Sequence, residues 1–238
     1  MAFRVFFCLL LLSACTPAYS LFLPRTPAVQ YEHAARIEVI CSYLSSLRVH
    51  TGDADADEIL NALLPDEKEL SMASGVFVSD RHVLTNAHAV TCTRGEKDKD
   101  IGWITSMEVV LLDGSKHPAT IDVLLPSRDL ARVTLSIKLE SDIRPPGIGT
   151  SPVIGDRICF ATAVPRYSYK CATVEPSSKM DRIQLSGIQP EHGNSGASAS
   201  DSSGRLIGLV RALDICEFGI PCMGQITPIT ASDAWLVQ

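Results

Sequence analysis

The chain has 238 residues, of which 46% are hydrophobic and 20% are charged, a composition typical of a globular protein with a buried core. The formal net charge of −6 and the lack of a Lys/Arg-rich stripe argue against a nucleic-acid partner, because phosphate binding requires clustered basic side chains.

The first 20 residues have the features of an export signal. An apolar run from Val5 to Leu12 follows one Arg; it is too short to span a bilayer and has the length of a signal-peptide core. The run ends in LSAC, which resembles the lipobox of bacterial lipoproteins and implies lipidation of Cys15. Since Thr16 follows rather than Asp, the same resemblance implies an outer-membrane anchor. The alternative is cleavage after Ser20. We expect a periplasmic or lipid-anchored protein, otherwise a secreted one, with no other membrane contact.

Six cysteines follow the signal segment, and an even number in an exported chain indicates disulfides. They are Cys41, Cys92, Cys159, Cys171, Cys216 and Cys222. Short spacings favour Cys159 with Cys171 and Cys216 with Cys222, which leaves Cys41 for Cys92, although sequence alone does not fix the pairing. No CxxC or HxxxH spacing suggests a metal site, so we expect no metal.

Residues 21–70 are predicted to form an extension made of a helix and a loop. Between Gln30 and Leu47, apolar residues recur at steps of three and four, which is the pattern of one buried helical face that also carries Cys41. The segment TGDADADEILNALLP that follows lacks the central Gly and closing Glu of an EF-hand, and we interpret it as a solvated loop.

Residues 71–238 are predicted to form one all-β domain. Short stretches rich in Val, Ile and Leu, from Gly75–Val78 to Gly224–Pro228, are separated by Asp-Gly, Pro and Gly about every ten residues, which is typical of a barrel or sandwich. The final segment TASDAWLVQ is predicted to be a short helix.

Three residues in this domain could act together as a catalytic group. Ser195 lies among small residues that leave its hydroxyl accessible, but a serine hydroxyl is a poor nucleophile until a histidine takes its proton. His88 is the candidate base. Asp129, at the entry to an apolar strand, could fix the tautomer of the imidazole and stabilise its charged form.

The motifs TNAHAV, RDLARVTL and GNSGAS, in that order, resemble the three catalytic motifs of chymotrypsin-like (trypsin-like) serine peptidases. The intervening segments resemble bacterial high-temperature-requirement-type domains, although too few residues follow Ser195 for a PDZ module. The resemblance implies two antiparallel six-stranded β-barrels with His88 and Asp129 on the first and Ser195 on the second. It also implies an oxyanion hole made by the backbone N–H groups of Gly193 and Ser195.

Several positions depart from the family pattern or bear on specificity. Ala197 and Ser198 replace the usual Gly and Pro, and we expect a modest adjustment there. Asn194 replaces the Asp that binds the new N-terminus of animal enzymes, so activation by that ion pair is not expected. The family pattern places Arg211 on a wall of the specificity pocket and Gln189 near its base. Arg211 would then favour an acidic side chain before the cleaved bond; the alternative is that it points to solvent.

The sequence therefore predicts an exported serine endopeptidase that acts on proteins or peptides through an acyl-enzyme, with no cofactor. Two alternatives remain at this point. One is a catalytically silent lipoprotein that keeps the fold for binding or structure, and the other is an esterase that uses the same triad.

Overall fold

The computed structural model describes residues 33–43, 51–62, 67–94, 100–140, 143–177, 182–187, 191–211 and 224–238. The predictions for the signal segment 1–20 with Cys15, for Gln189 and for the pair Cys216 and Cys222 lie outside these residues. Among the described helices, none has the length and apolar character needed to cross a membrane.

Two closed six-stranded antiparallel barrels make up the fold, as predicted. The first has the strand order β1-β2-β3-β8-β7-β6. Its strands are β1 (Ala34–Tyr43), β2 (Glu67–Phe77), β3 (His82–Thr85), β6 (Trp103–Val110), β7 (Lys116–Leu125) and β8 (Leu130–Leu135). A separate two-stranded sheet pairs β4 (Thr93–Arg94) with β5 (Asp100–Ile101).

The second barrel has the strand order β10-β11-β14-β13-β12-β9. Its strands are β9 (Arg157–Thr162), β10 (Ser168–Glu175), β11 (Ile183–Ser186), β12 (Ser198–Ser200), β13 (Leu206–Arg211) and β14 (Gly224–Pro228). The predicted C-terminal helix is present as a 3-10 helix, Ala231–Val237.

The barrels share a buried apolar interface in addition to their own cores. Val76, Leu84 and Leu130 from the first barrel pack in one cluster with Leu209 and Leu236 from the second barrel and the C-terminal helix. Because burial of apolar area is the main favourable term in association, this cluster holds the two barrels together and fixes the cleft between them.

The predicted N-terminal helix is wrong, because Ala34–Tyr43 forms strand β1. Its buried side chains follow a two-residue alternation, Ile37, Val39, Cys41 and Tyr43, and all four lie in the core of the first barrel. The strand pairs with β2 on one side and β6 on the other, which closes the barrel. The barrel therefore includes strands from both sides of the predicted boundary at residue 71.

The acidic segment after residue 50 contains a helix rather than only a loop. Helix α1 spans Ala54–Ala62, and Asp53 caps it by accepting hydrogen bonds from the N–H groups of Asp55 (3.0 Å) and Ala56 (3.3 Å). Asp57 accepts a hydrogen bond from the Thr51 hydroxyl at 2.8 Å. The aspartates thus stabilise the start of an exposed helix, where negative charge is favourable.

Two of the predicted disulfides are formed. Cys41 and Cys92 join β1 to the segment that follows His88, across a sequence separation of 51. Cys159 and Cys171 face each other on the neighbouring strands β9 and β10, with a separation of 12.

Candidate active site

His88 lies at the end of a firmly packed hairpin. Strands β2 and β3 pair in register, and Val83 and Leu84 are fully buried. The chain then enters a short 3-10 helix, His88–Val90, in which Ala89 and Val90 are buried. The side chain of His88 keeps 40% of its surface exposed, so the hairpin presents an accessible imidazole on a rigid support.

Asp129 lies between the 3-10 helix Pro126–Arg128 and strand β8. Its φ of 53° is in the left-handed region, which Asp tolerates better than most residues, and its N–H donates to the Pro126 carbonyl at 3.1 Å. Leu130 follows and is fully buried. The turn and the buried Leu130 together direct the nearly buried carboxylate of Asp129 toward His88.

A continuous hydrogen-bonded chain joins the three predicted residues. Oδ1 of Asp129 lies 2.8 Å from His88 Nδ1 and accepts the His88 backbone N–H at 3.1 Å. His88 Nε2 lies 2.9 Å from Ser195 Oγ. When the neutral ring carries its proton on Nδ1 and donates to Asp129, Nε2 can accept the hydroxyl proton of Ser195.

Two glycines shape the loop around Ser195. Gly193 and Gly196 have φ values of +86° and +85°. A Cβ at Gly193 would overlap Val164, and one at Gly196 would overlap the Ser74 carbonyl, so neither position accepts a side chain. The backbone that carries the predicted oxyanion donors is therefore held by close packing.

Asn194 fixes the same loop from inside. Its side chain is buried, accepts a hydrogen bond from the Glu191 N–H at 3.1 Å and donates to the Val164 carbonyl at 2.8 Å. Ala197 continues the same turn, since its N–H donates to the Asn194 carbonyl at 3.0 Å and its side chain is fully buried; the modest adjustment expected at this position stays a prediction. The uncharged Asn194 amide thus orders the loop through one contact within it, at Glu191, and one with the connection between β9 and β10, at Val164.

Two buried polar side chains that the sequence analysis missed connect the barrels at the site. Ser74 donates to the Gly193 carbonyl at 2.8 Å and accepts the Ala163 N–H at 3.0 Å. Asn86 donates to the Asp129 carbonyl at 3.0 Å and accepts the Gly196 N–H at 2.7 Å. The only signal for Asn86 was its place in the TNAHAV motif.

The charge of Asp129 is balanced from two sides. Burial by itself would raise the pKa of this carboxyl, but hydrogen bonds and charge from His88, with a further contribution from the charge of Arg211, bring the pKa below its ordinary value of 3.8. Arg211 lies at the end of β13, and its Nε is 3.6 Å from Oδ2 of Asp129. Its guanidinium therefore faces the carboxylate rather than only solvent; its place in a specificity pocket stays a prediction.

Within the described part of the chain, no group of three or more His, Cys, Asp or Glu side chains is arranged to hold a metal ion.

The barrels and the hydrogen-bonded chain define a chymotrypsin-like serine peptidase. The trypsin-like peptidase domain family matches residues 73–209, more than half of the chain, and the chain belongs to this family. The crystal structure of the serine endoprotease from Yersinia pestis is similar in fold, with a TM-score of 0.54 and 18% sequence identity. The match covers 85% of this chain and 62% of that one, so the chain spans less than two thirds of the solved protein. A comparison with curated proteins gives no significant match.

Proposed function

We propose that the chain is a serine endopeptidase that hydrolyses peptide bonds with Ser195 as nucleophile, His88 as general base and acid, and Asp129 as the orienting carboxylate. The hydrogen-bonded chain from Asp129 through His88 to Ser195 carries this proposal. Such a chain activates a serine hydroxyl, and its presence argues against a silent fold kept only for binding.

The reaction would proceed in two halves. Ser195 Oγ attacks the peptide carbonyl carbon while its proton passes to His88 Nε2, and Asp129 stabilises the imidazolium that forms. The N–H groups of Gly193 and Ser195 would bind the oxyanion. His88 then gives the proton to the amine as the peptide bond breaks. The amine departs, and the acyl group remains on Ser195 as an ester. In the second half, His88 takes a proton from water as the water oxygen attacks the ester carbon. His88 then gives that proton to Ser195 Oγ as the ester bond breaks, which releases the acid and restores the serine hydroxyl.

Proteins or peptides are the proposed substrates. The exposed imidazole of His88 supports access from solvent, and the family match supports peptide bonds over other acyl groups. Because the same chemistry cleaves esters, substrate specificity is measured by comparing the cleavage rates of a peptide and of an ester with the same acyl group.

We also propose that the protein is exported and anchored by lipid at Cys15. The lipobox-like LSAC supports this, as do the two disulfides, because such bonds persist in oxidising compartments. The mass of the mature N-terminus tests the proposal: an unmodified chain that begins after Ser20 contradicts the anchor.

Labelling with a fluorophosphonate probe tests the activity, because the probe reacts with an activated serine. We expect the native protein to be labelled and S195A and H88A to lose labelling. S203A, which changes a serine of an exposed turn, is the matched control and should label like the native protein. A native protein that neither reacts with the probe nor cleaves an unfolded protein substrate would falsify the proposed function.

A further inference from the structure

Asp129 has one carboxylate oxygen that the triad does not use. Oδ1 accepts both hydrogen bonds from His88, whereas Oδ2 is buried and has no hydrogen-bond partner in the described part of the structure. A buried anionic oxygen without a donor is costly. Some other interaction must therefore compensate for its charge.

Arg211 provides that interaction. Its Nε lies 3.6 Å from Oδ2, which is too long for a good hydrogen bond but close enough for a strong attraction between opposite charges. The Asp129 side chain is only 8% exposed and that of Arg211 34%, so solvent and salt screen this pair less than a surface pair.

The two arginines that lie close to Asp129 in sequence form ion pairs with other carboxylates. Arg128 is paired with Asp233, and Arg132 with Asp122. Among the described residues, the charged groups that act on the Asp129 carboxylate are thus His88, from the 3-10 helix that follows β3, and Arg211, from β13 of the second barrel.

We propose that Arg211 is a positioning residue for the triad: its guanidinium supplies the counter-charge for Oδ2 of Asp129 and so holds the carboxylate ionised and oriented on His88. This inference rests on the proposed function, because it assigns a role within the same catalytic site. It also gives Arg211 a use other than recognition of an acidic side chain in the substrate.

The pairing crosses the cleft between the barrels. Asp129 and His88 belong to the first barrel, and Arg211 is on a strand of the second, close in sequence to Ser195. Docking of the second barrel therefore brings both the nucleophile and the counter-charge to the carboxylate.

The test compares R211M, which removes the charge but keeps an unbranched chain as far as the position of Nε, with R211K, which keeps the charge. R205M is the matched control, since Arg205 is paired with Asp201 at a surface turn of the same barrel. We expect kcat for peptide cleavage to fall roughly tenfold to a hundredfold in R211M with little change in KM. R211K should retain most of kcat, and R205M should match the native protein.

A second readout does not depend on turnover. In protein with 13C-labelled aspartate carboxyl groups, the signal of Asp129, identified by its absence in D129N, should titrate at a higher pH in R211M than in the native protein, because a nearby positive charge favours the ionised carboxylate. R211K should titrate close to the native protein. Thermal unfolding checks that each variant is folded; if R211M is not, the comparison of R211K with R211Q serves the same purpose.

Two results would overturn the inference. One is a folded R211M variant with native kcat and native titration of Asp129. The other is a loss confined to KM for substrates with Asp or Glu before the cleaved bond, which would make Arg211 a substrate contact. If the native protein cleaves no peptide and resists the probe, the proposed function fails, while the titration of Asp129 still decides whether Arg211 acts on it.

Discussion

Asn86 lies two residues before His88 and is fully buried, with its amide bonded to both barrels. One end donates to the Asp129 carbonyl, and the other accepts the N–H of Gly196, next to the nucleophile. A third contact, from Nδ2 to Thr227 Oγ1, is long at 3.4 Å. The Asn86 side chain therefore sets the distance between the turn that carries Asp129 and the loop that carries Ser195.

We expect N86A to lower kcat/KM about a hundredfold, because small displacements of reacting groups are costly. It should also lower the free energy of unfolding by about 2 kcal/mol, since the buried Asp129 carbonyl loses the Asn86 donor and the Gly196 N–H keeps only the Val210 carbonyl, at 2.8 Å. Steady-state kinetics and urea denaturation measure the two effects. T227V removes the long contact to Asn86 and the hydrogen bond from Arg182 to Thr227 Oγ1 at 3.0 Å, but it leaves both contacts of Asn86 that join the loops. Its activity should therefore remain near native. If N86A is as active as T227V, Asn86 does not position the loops.

The reacting residues could be predicted from sequence because each lies in a short motif whose residue types fit one chemistry. The contacts of Asn86 and Arg211 could not be predicted in the same way. Their partners lie far along the chain, and the direction of the Arg211 side chain depends on how the two barrels dock. Sequence alternation places a residue on one face of a strand but does not tell which charge it meets across a cleft.

Strand β1 shows how two periodicities can coexist in one segment. Ile37, Ile40 and Leu44 follow a helical spacing, whereas Ile37, Val39 and Cys41 follow the two-residue alternation of a strand. The strand forms because both of its edges find partners, in β2 and β6. Long-range pairing thus decides between the patterns, and no local signal contains that information.

The C-terminal 3-10 helix is tied to the turn that carries Asp129. Asp233 caps the helix by accepting the Thr230 N–H at 2.8 Å, and its two oxygens accept hydrogen bonds from Arg128 at 3.1 and 3.0 Å. Burial by itself would raise the pKa of Asp233, but hydrogen bonds from Thr230 and Arg128 bring it below the ordinary value of 3.8. A carboxyl whose pKa is lowered by folding stabilises the protein above its unfolded pKa, and this contribution is lost as the pH falls through its folded pKa.

We therefore expect D233N to lower the free energy of unfolding at pH 7 by about 2 kcal/mol, through the loss of charged hydrogen bonds. The difference from the native protein should shrink as the pH falls below about 4, where the carboxyl of the unfolded chain gains its proton, and should vanish once the pH has fallen through the lower folded pKa of Asp233. Thermal unfolding at several pH values measures this. S232A, which removes an exposed neighbouring hydroxyl, should have little effect, and a difference that does not depend on pH would contradict the role of the charge.

At the scale of the whole molecule, the two disulfides constrain loops of different length. The chain-entropy estimate for sequence separations of 51 and 12 is about 4 and about 3 kcal/mol. We expect C41A/C92A to lower the free energy of unfolding more than C159A/C171A, as measured by urea denaturation. The first pair should also reduce activity, since Cys92 follows the His88 segment. Equal losses, or the reverse order, would contradict this account.

A peptidase can cleave its own chain, and the disulfide between Cys41 and Cys92 limits the consequence of such a cut. A single cut in the chain between these two residues would open the loop but leave both pieces covalently joined. Strand β1 would remain seated between its two neighbours, and the piece that carries His88 could not diffuse away from it. The disulfide therefore makes the first barrel tolerant of one nick in this region, so a nicked molecule would separate into fragments only after reduction.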